Sequence, residues 1–99
     1  MRYYAFGMIK SFHSRDTETL FRLGHVRKWK NIERQALRKL VQLDLAQSIG
    51  DMRAPPGNRL EALSGERKGQ WSVRINDQYR ICFRWTNDGP TDVEITDYH

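Results

Sequence analysis

Cysteine is almost missing from this chain: Cys82 is the single one in 99 residues. An internal disulfide is therefore excluded. Its place in the alternating run "YRICFRW" marks it as a small buried residue rather than a nucleophile. His13, His25 and His99 are too scattered to suggest a zinc site, so no metal is expected. No apolar run approaches the roughly 20 residues that cross a bilayer. The start, "MRYYAFGMIKSF", lacks a basic region followed by a long apolar stretch, which argues against a secretory leader and fits the cytoplasm. There is no Walker loop, no dinucleotide fingerprint and no acyl-transfer elbow around Ser72, so no cofactor is expected. Internal repeats and low-complexity segments are absent too, and the chain reads as one domain over residues 1–99, with residues 1–7 as a possible extension before Met8.

Acids are in the minority. Seventeen Lys and Arg against twelve Asp and Glu leave a net charge of +5 and an isoelectric point near 9.7. At this size the excess points to a polyanionic partner, with nucleic acid first and an acidic protein second.

The periodicity changes once along the chain. "MIKSF" alternates as a first strand, and "RDTETLFRLG" is a short helix closed by Gly24. In "KNIERQALRKLVQLDLAQSIG", Ile32, Ala36, Leu40 and Leu43 form an apolar stripe that Leu37 and Val41 widen, with Gly50 as the expected stop. "DMRAPPGN" breaks the helical pattern. Strands are then expected in "RLEAL", with Leu60 and Leu63 in the core, and in "QWSVRI", "YRICFRW" and "TDVEITDYH". The expected fold is α+β: a small, mostly antiparallel sheet made of an N-terminal strand and a four-strand meander, with both helices on one face.

Alternation also says what lines the other face. Trp71, Val73, Ile75, Tyr79, Ile81, Phe83, Trp85, Val93 and Ile95 point one way; Ser72, Arg74, Arg80, Cys82, Arg84, Glu94, Thr96 and Tyr98 point the other. Three arginines on neighbouring strands repel unless an anion, or an acid such as Glu94, lies among them. Arginine's planar fork suits phosphate, and Arg67 and Lys68 in the preceding turn extend the strip. Asp97, Tyr98 and His99 follow at the end. Composition alone favours a solvated tail, yet an acid, a phenol and an imidazole beside a phosphate-binding arginine also match what RNA cleavage without metal needs: base, cation and acid.

"MIKSF", "PPGNRLEALSGERKGQWSVRINDQYRICFRW" and "DVEITDYH" together resemble the HigB-type toxins of the RelE superfamily, from about Met8 to His99. The resemblance implies the toxin of a type II toxin–antitoxin system, an endonuclease that cuts translated mRNA in the A site of the 30S subunit without metal. It also implies a HigA-like helix-turn-helix antitoxin that neutralises it, and operator DNA contacted through that antitoxin. In this family the terminal Asp-Tyr-His and an arginine in the penultimate strand belong to the active site, which corresponds here to Asp97, Tyr98, His99 and Arg80. On this reading Arg80 binds the scissile phosphate with Lys68, Arg67, Arg74 and Arg84 as further phosphate contacts; His99 and Glu61 carry protons, Tyr98 orients the nucleotide, and Asp97 positions its neighbours. Glu61 stands where many relatives have histidine, and Ser64 where many have a basic residue, so a modest nuclease is expected. Two other readings fit the same architecture. One is a ParE-like inhibitor that acts on gyrase by protein contacts; the other is a basic module that binds RNA or the ribosome without catalysis.

Overall fold

A computed structural model describes residues 8–97. Helix α1 spans Arg15–Leu23. Its start is fixed by Ser14, whose Oγ accepts the Thr17 N–H at 3.1 Å. Its end is fixed by Gly24 at φ +82°, whose N–H reaches the Leu20 carbonyl at 2.8 Å. A 3-10 turn over Arg27–Ile32 buries Trp29 and leads into α2, Glu33–Leu45.

The second helix stops at Ala46 and not at Gly50. The carboxylate of Asp51 accepts the backbone N–H groups of Gln47 at 2.8 Å and Ser48 at 3.3 Å. A continuing helix would have sent those donors to carbonyls one turn back, so the acid competes with the ladder and wins. Ala36, Leu40 and Leu43 are fully buried as expected, but Val41 is 46% exposed and lies outside the stripe.

The sheet is a meander in the order β1-β2-β3-β4, antiparallel throughout. Strand β1 is Glu61–Ala62, β2 is Trp71–Arg74, β3 is Tyr79–Thr86 and β4 is Gly89–Asp97. The "RLEAL" run thus contributes two residues of strand, because Arg59 just before it sits at φ +46° and a tight turn begins at Gly65. Leu60 packs against the core from its margin, and Leu63 is likewise half-buried. Of the expected N-terminal strand, the described residues keep one parallel bridge, Phe12 to Val93.

That segment nevertheless has a task. The Val93 N–H donates to the Ser11 carbonyl at 3.1 Å, and the His13 and Lys10 N–H groups donate to the Val93 and Pro90 carbonyls. The Ile95 N–H donates to Thr17 Oγ1 at 2.9 Å. The outer edge of β4 is therefore satisfied partly by this segment and partly by α1.

Leu20, Leu40, Leu43, Val73, Ile81, Phe83 and Val93 are fully buried in one cluster between the helices and one sheet face. Truncating a buried leucine such as Leu40 to alanine in a core of this kind costs about 2–5 kcal/mol. Between Cys82 and Arg84 the β3–β4 register slips, so Asp92 and Val93 oppose Phe83 alone. Asp92 takes φ +54° there, forming a bulge that turns the end of the strand. No helix among the described residues is long and apolar enough to cross a membrane.

Candidate active site

The register places Arg74, Arg80 and Thr96 in one cross-strand row and Glu61, Ser72, Cys82 and Glu94 in the next. All but Glu61 are residues that alternation assigned to the face away from the helices. At its centre this face is closed: Ser72 and Cys82 are fully buried, and the side chain of Arg80 is only 9% exposed.

Arg80 is held by one edge of its guanidinium. Nε donates to Ser72 Oγ at 2.7 Å, and Nη2 donates to the Arg59 carbonyl at 2.7 Å and to the Ser72 carbonyl at 3.4 Å. Glu61 Oε1 lies 3.3 Å from the same Nη2 and is half-exposed. A nearly buried cation needs this many partners, because unpaired it would lose its hydration without replacement. Thr96, opposite Arg80 in the register, has an Oγ1 with no hydrogen-bond partner among the described residues.

The residue before Arg59 is firmly anchored. Asn58 is fully buried. Its Nδ2 donates to Gln42 Oε1, the Met52 carbonyl and the Ala54 carbonyl, each at 3.1 Å, while its Oδ1 accepts from Lys39 Nζ. Burial, with Arg38 and Arg74 nearby, holds the Lys39 ammonium below its ordinary pKa. Asn58 thus ties α2 to the loop that carries Arg59.

The remaining expected cations divide. Arg67 and Arg84 line a hollow of about 330 Å³ with His13, Glu66, Gln70, Asp92 and Glu94. A second hollow of about 400 Å³, lined by Glu61, Ala62, Leu63, Ser64, Glu66 and Arg67, adjoins it through Glu66 and Arg67. Each arginine has an acid: Arg67 Nη1 is 3.5 Å from Glu94 Oε1, and Arg84 Nε is 3.6 Å from Asp92 Oδ2. Arg74 pairs with Asp77 at the β2–β3 turn, away from both hollows, and Lys68 is exposed and lines neither. The positive strip is thus threaded with acids, Glu94 among them as the alternation allowed, since like charges packed this closely recruit acids.

Asp97 lies opposite Tyr79 in the register, one position past Thr96, and accepts from Gln78 Nε2 at 3.1 Å. Tyr98 and His99 lie outside the described residues. The structure therefore brings together Arg80 and Glu61 among the expected site residues, and Arg67 with Arg84. Ser72, Asn58, the Arg59 carbonyl and His13 had no place in the expected site. Their signals were a strand serine at the parity of Arg80 and an asparagine after a Pro-Pro-Gly turn.

A short antiparallel meander with two helices on one face is the α+β fold of RelE-like toxins. Solved structures of that class superpose on it. The YoeB–YefM complex from Staphylococcus aureus gives a TM-score of 0.56 at 15% identity, over 96% of this chain and 99% of the matched one. The YoeB/ParE toxin from Agrobacterium tumefaciens gives 0.54 at 18%, over 93% and 99%.

The family follows from the sequence. The model of the RelE-like toxin of the type II toxin–antitoxin system HigB matches residues 9–99, and the chain belongs to this family. It is 51% identical over 57 residues to Toxin HigB-1 of Vibrio cholerae, covering 58% of this chain and 60% of that protein. A Haemophilus influenzae protein matches at 34% over 59% of this chain and 57% of its own length. The chain thus spans about three fifths of these two relatives. It is 29% identical to Endoribonuclease HigB of Proteus vulgaris, over 93% of this chain and all of that protein.

Proposed function

We propose that this toxin is an endoribonuclease that cuts translated mRNA in the ribosomal A site, without metal, and that a HigA-like helix-turn-helix antitoxin neutralises it in the cytoplasm. The observation that carries the reading is the anchored guanidinium of Arg80, next to the Glu61 carboxylate and opposite Thr96, which immediately precedes the acid–tyrosine–histidine end of the chain. The name of the Proteus relative, an endoribonuclease matched over its whole length, supports it.

The chemistry is a transesterification. A base takes the 2′-hydroxyl proton, the 2′-oxygen attacks phosphorus, and the bond from phosphorus to the 5′-oxygen breaks. An acid returns a proton to that oxygen, leaving a 2′,3′-cyclic phosphate and a 5′-hydroxyl. Charge grows on the phosphoryl oxygens in between. A fixed guanidinium lowers that state more than the ground state, an effect worth on the order of 10²–10³ in rate. Arg80 takes this role, His99 and Glu61 are the proton carriers, Tyr98 orients the nucleotide and Asp97 positions its neighbours. Arg67, Lys68, Arg84 and Arg74 guide the phosphate backbone.

The test is to map message ends in cells producing the wild type, Arg80→Ala, Glu61→Gln or a chain lacking His99. Cleavage within codons by the wild type alone is the expected result. Equal arrest by all four, or intact message with damaged DNA, would overturn the proposal.

A further inference from the structure

Arg80 is nearly buried, and beside the Glu61 carboxylate three neutral groups contact its guanidinium: the Ser72 hydroxyl, the Ser72 carbonyl and the Arg59 carbonyl. A guanidinium steered only by a flexible carboxylate such as Glu61 would swing with it. One held by a buried strand hydroxyl and two carbonyls cannot. The Arg59 carbonyl points at Nη2 because Arg59 takes the left-handed conformation at φ +46°, which a non-glycine residue keeps only when its surroundings impose it. Those surroundings are Asn58, fully buried one residue earlier and bonded to α2 through Gln42 and Lys39 and to its own loop through the Met52 and Ala54 carbonyls.

We propose that Ser72 and Asn58 are positioning residues for Arg80: Ser72 by direct contact, Asn58 by aiming the Arg59 carbonyl. This rests on the reading of Arg80 as the phosphate-stabilising group. Their effect is to hold the guanidinium plane ready for the transition state, so that little reorganisation accompanies charge development. The loop "PPGN", which reads as part of a mere breaker in the sequence, thereby becomes, with Arg59, part of the machinery. A misaimed guanidinium still attracts RNA, because the attraction depends on its charge, but it no longer matches the trigonal-bipyramidal phosphate. The two parameters of cleavage should therefore separate.

The experiment is single-turnover cleavage of ribosome-bound message by the full chain, with rate constant and half-saturating concentration determined separately. Unfolding curves supply the folded fraction at the assay temperature. Ser72→Ala should lower the saturating rate about 10–100-fold, as loss of an orienting partner commonly does, with half-saturation shifted less than about threefold. Ser72→Thr, which keeps the hydroxyl, should recover most of the rate. Asn58→Asp, which keeps an acceptor for Lys39 and loses the amide donors, should show the same separation.

A Ser72→Ala rate that falls only in proportion to its folded fraction would overturn the inference, as would a loss confined to half-saturation. Arg80→Ala is the internal control. If it is inactive while Ser72→Ala and Asn58→Asp cut like the wild type, the positioning role alone fails. If Arg80→Ala itself cuts like the wild type, the reading of the active site fails and this inference with it.

Discussion

Arg80 and Ser72 are joined twice, from Nε to Oγ at 2.7 Å and from Nη2 to the carbonyl at 3.4 Å, although β2 and β3 pair Ser72 with Cys82 and not with Arg80. The arginine reaches diagonally across the ladder onto its neighbour's row. It therefore occupies the middle of the sheet, and the other arginines are left to its margins with acids of their own.

On the proposed function, those acids bear on RNA affinity. Arg67 and Arg84 meet Glu94 and Asp92 across 3.5 and 3.6 Å at partly exposed positions, where such pairs contribute little to stability. Glu94→Gln combined with Asp92→Asn should therefore fold normally and bind RNA more tightly. Asn tolerates the positive φ of residue 92. In a salt titration followed by fluorescence anisotropy, the slope of log affinity against log salt should steepen by about 0.7 per arginine released.

Thr17 is fully buried and accepts the edge N–H of Ile95 while donating to Ser14 Oγ at 3.1 Å. Thr17→Val keeps the shape and removes the acceptor. A buried donor left unpaired costs about 1–3 kcal/mol, which urea unfolding at constant m-value would register as a lower midpoint.

Asp51 makes stability depend on acidity. Backbone N–H groups of Gln47 and Ser48 hold its carboxyl below the ordinary 3.8. In acid the unfolded chain takes up this proton first, so the native state loses stability as pH falls. Compared with Asp51→Asn, the wild type should be more stable at neutral pH. The difference should shrink as pH drops through 3.8 towards the lower native value, which melting temperatures of the two proteins at stepped pH would show.

Gly69 takes φ +93°, and a Cβ placed there would come within 2.7 Å of Arg84 Nη1. Gly69→Ala should cost about 1–2 kcal/mol from the backbone conformation alone. It should also push Arg84 off Asp92, so chemical denaturation and RNA binding should both change.

The strands were legible where their alternation was strong: Trp71, Val73 and Ile75 against Tyr79, Ile81 and Phe83 fixed the β2–β3 hairpin and, with it, the face that Arg80 occupies. "MIKSF" alternates just as well, yet a strand is defined by its partner. The bulge at Asp92 lets β4 accept a bridge at Val93 and little more from the described residues. The end of α2 was misplaced because Gly50 is a strong local stop, whereas Asp51 reaches back to take its N–H groups one turn sooner. For the candidate site, parity placed Arg80 on the face away from the helices, and composition gave the basic excess. Parity could not find the Arg59 carbonyl, since any residue has one and only the chain path past Asn58 aims it. Net charge likewise gives a sign and not a partner: parity put Glu94 among the arginines, but the acid on Arg84, Asp92, went unread.

The two rims of the sheet carry a last consequence. On one side β1 is two residues long; on the other the outward N–H groups of Val93 and Ile95 are already taken by Ser11 and Thr17. Among the described residues, then, neighbouring copies find little main chain to zip onto, and cross-β growth has no ready template in the native state. Crowding such molecules together should produce a clear solution rather than fibres.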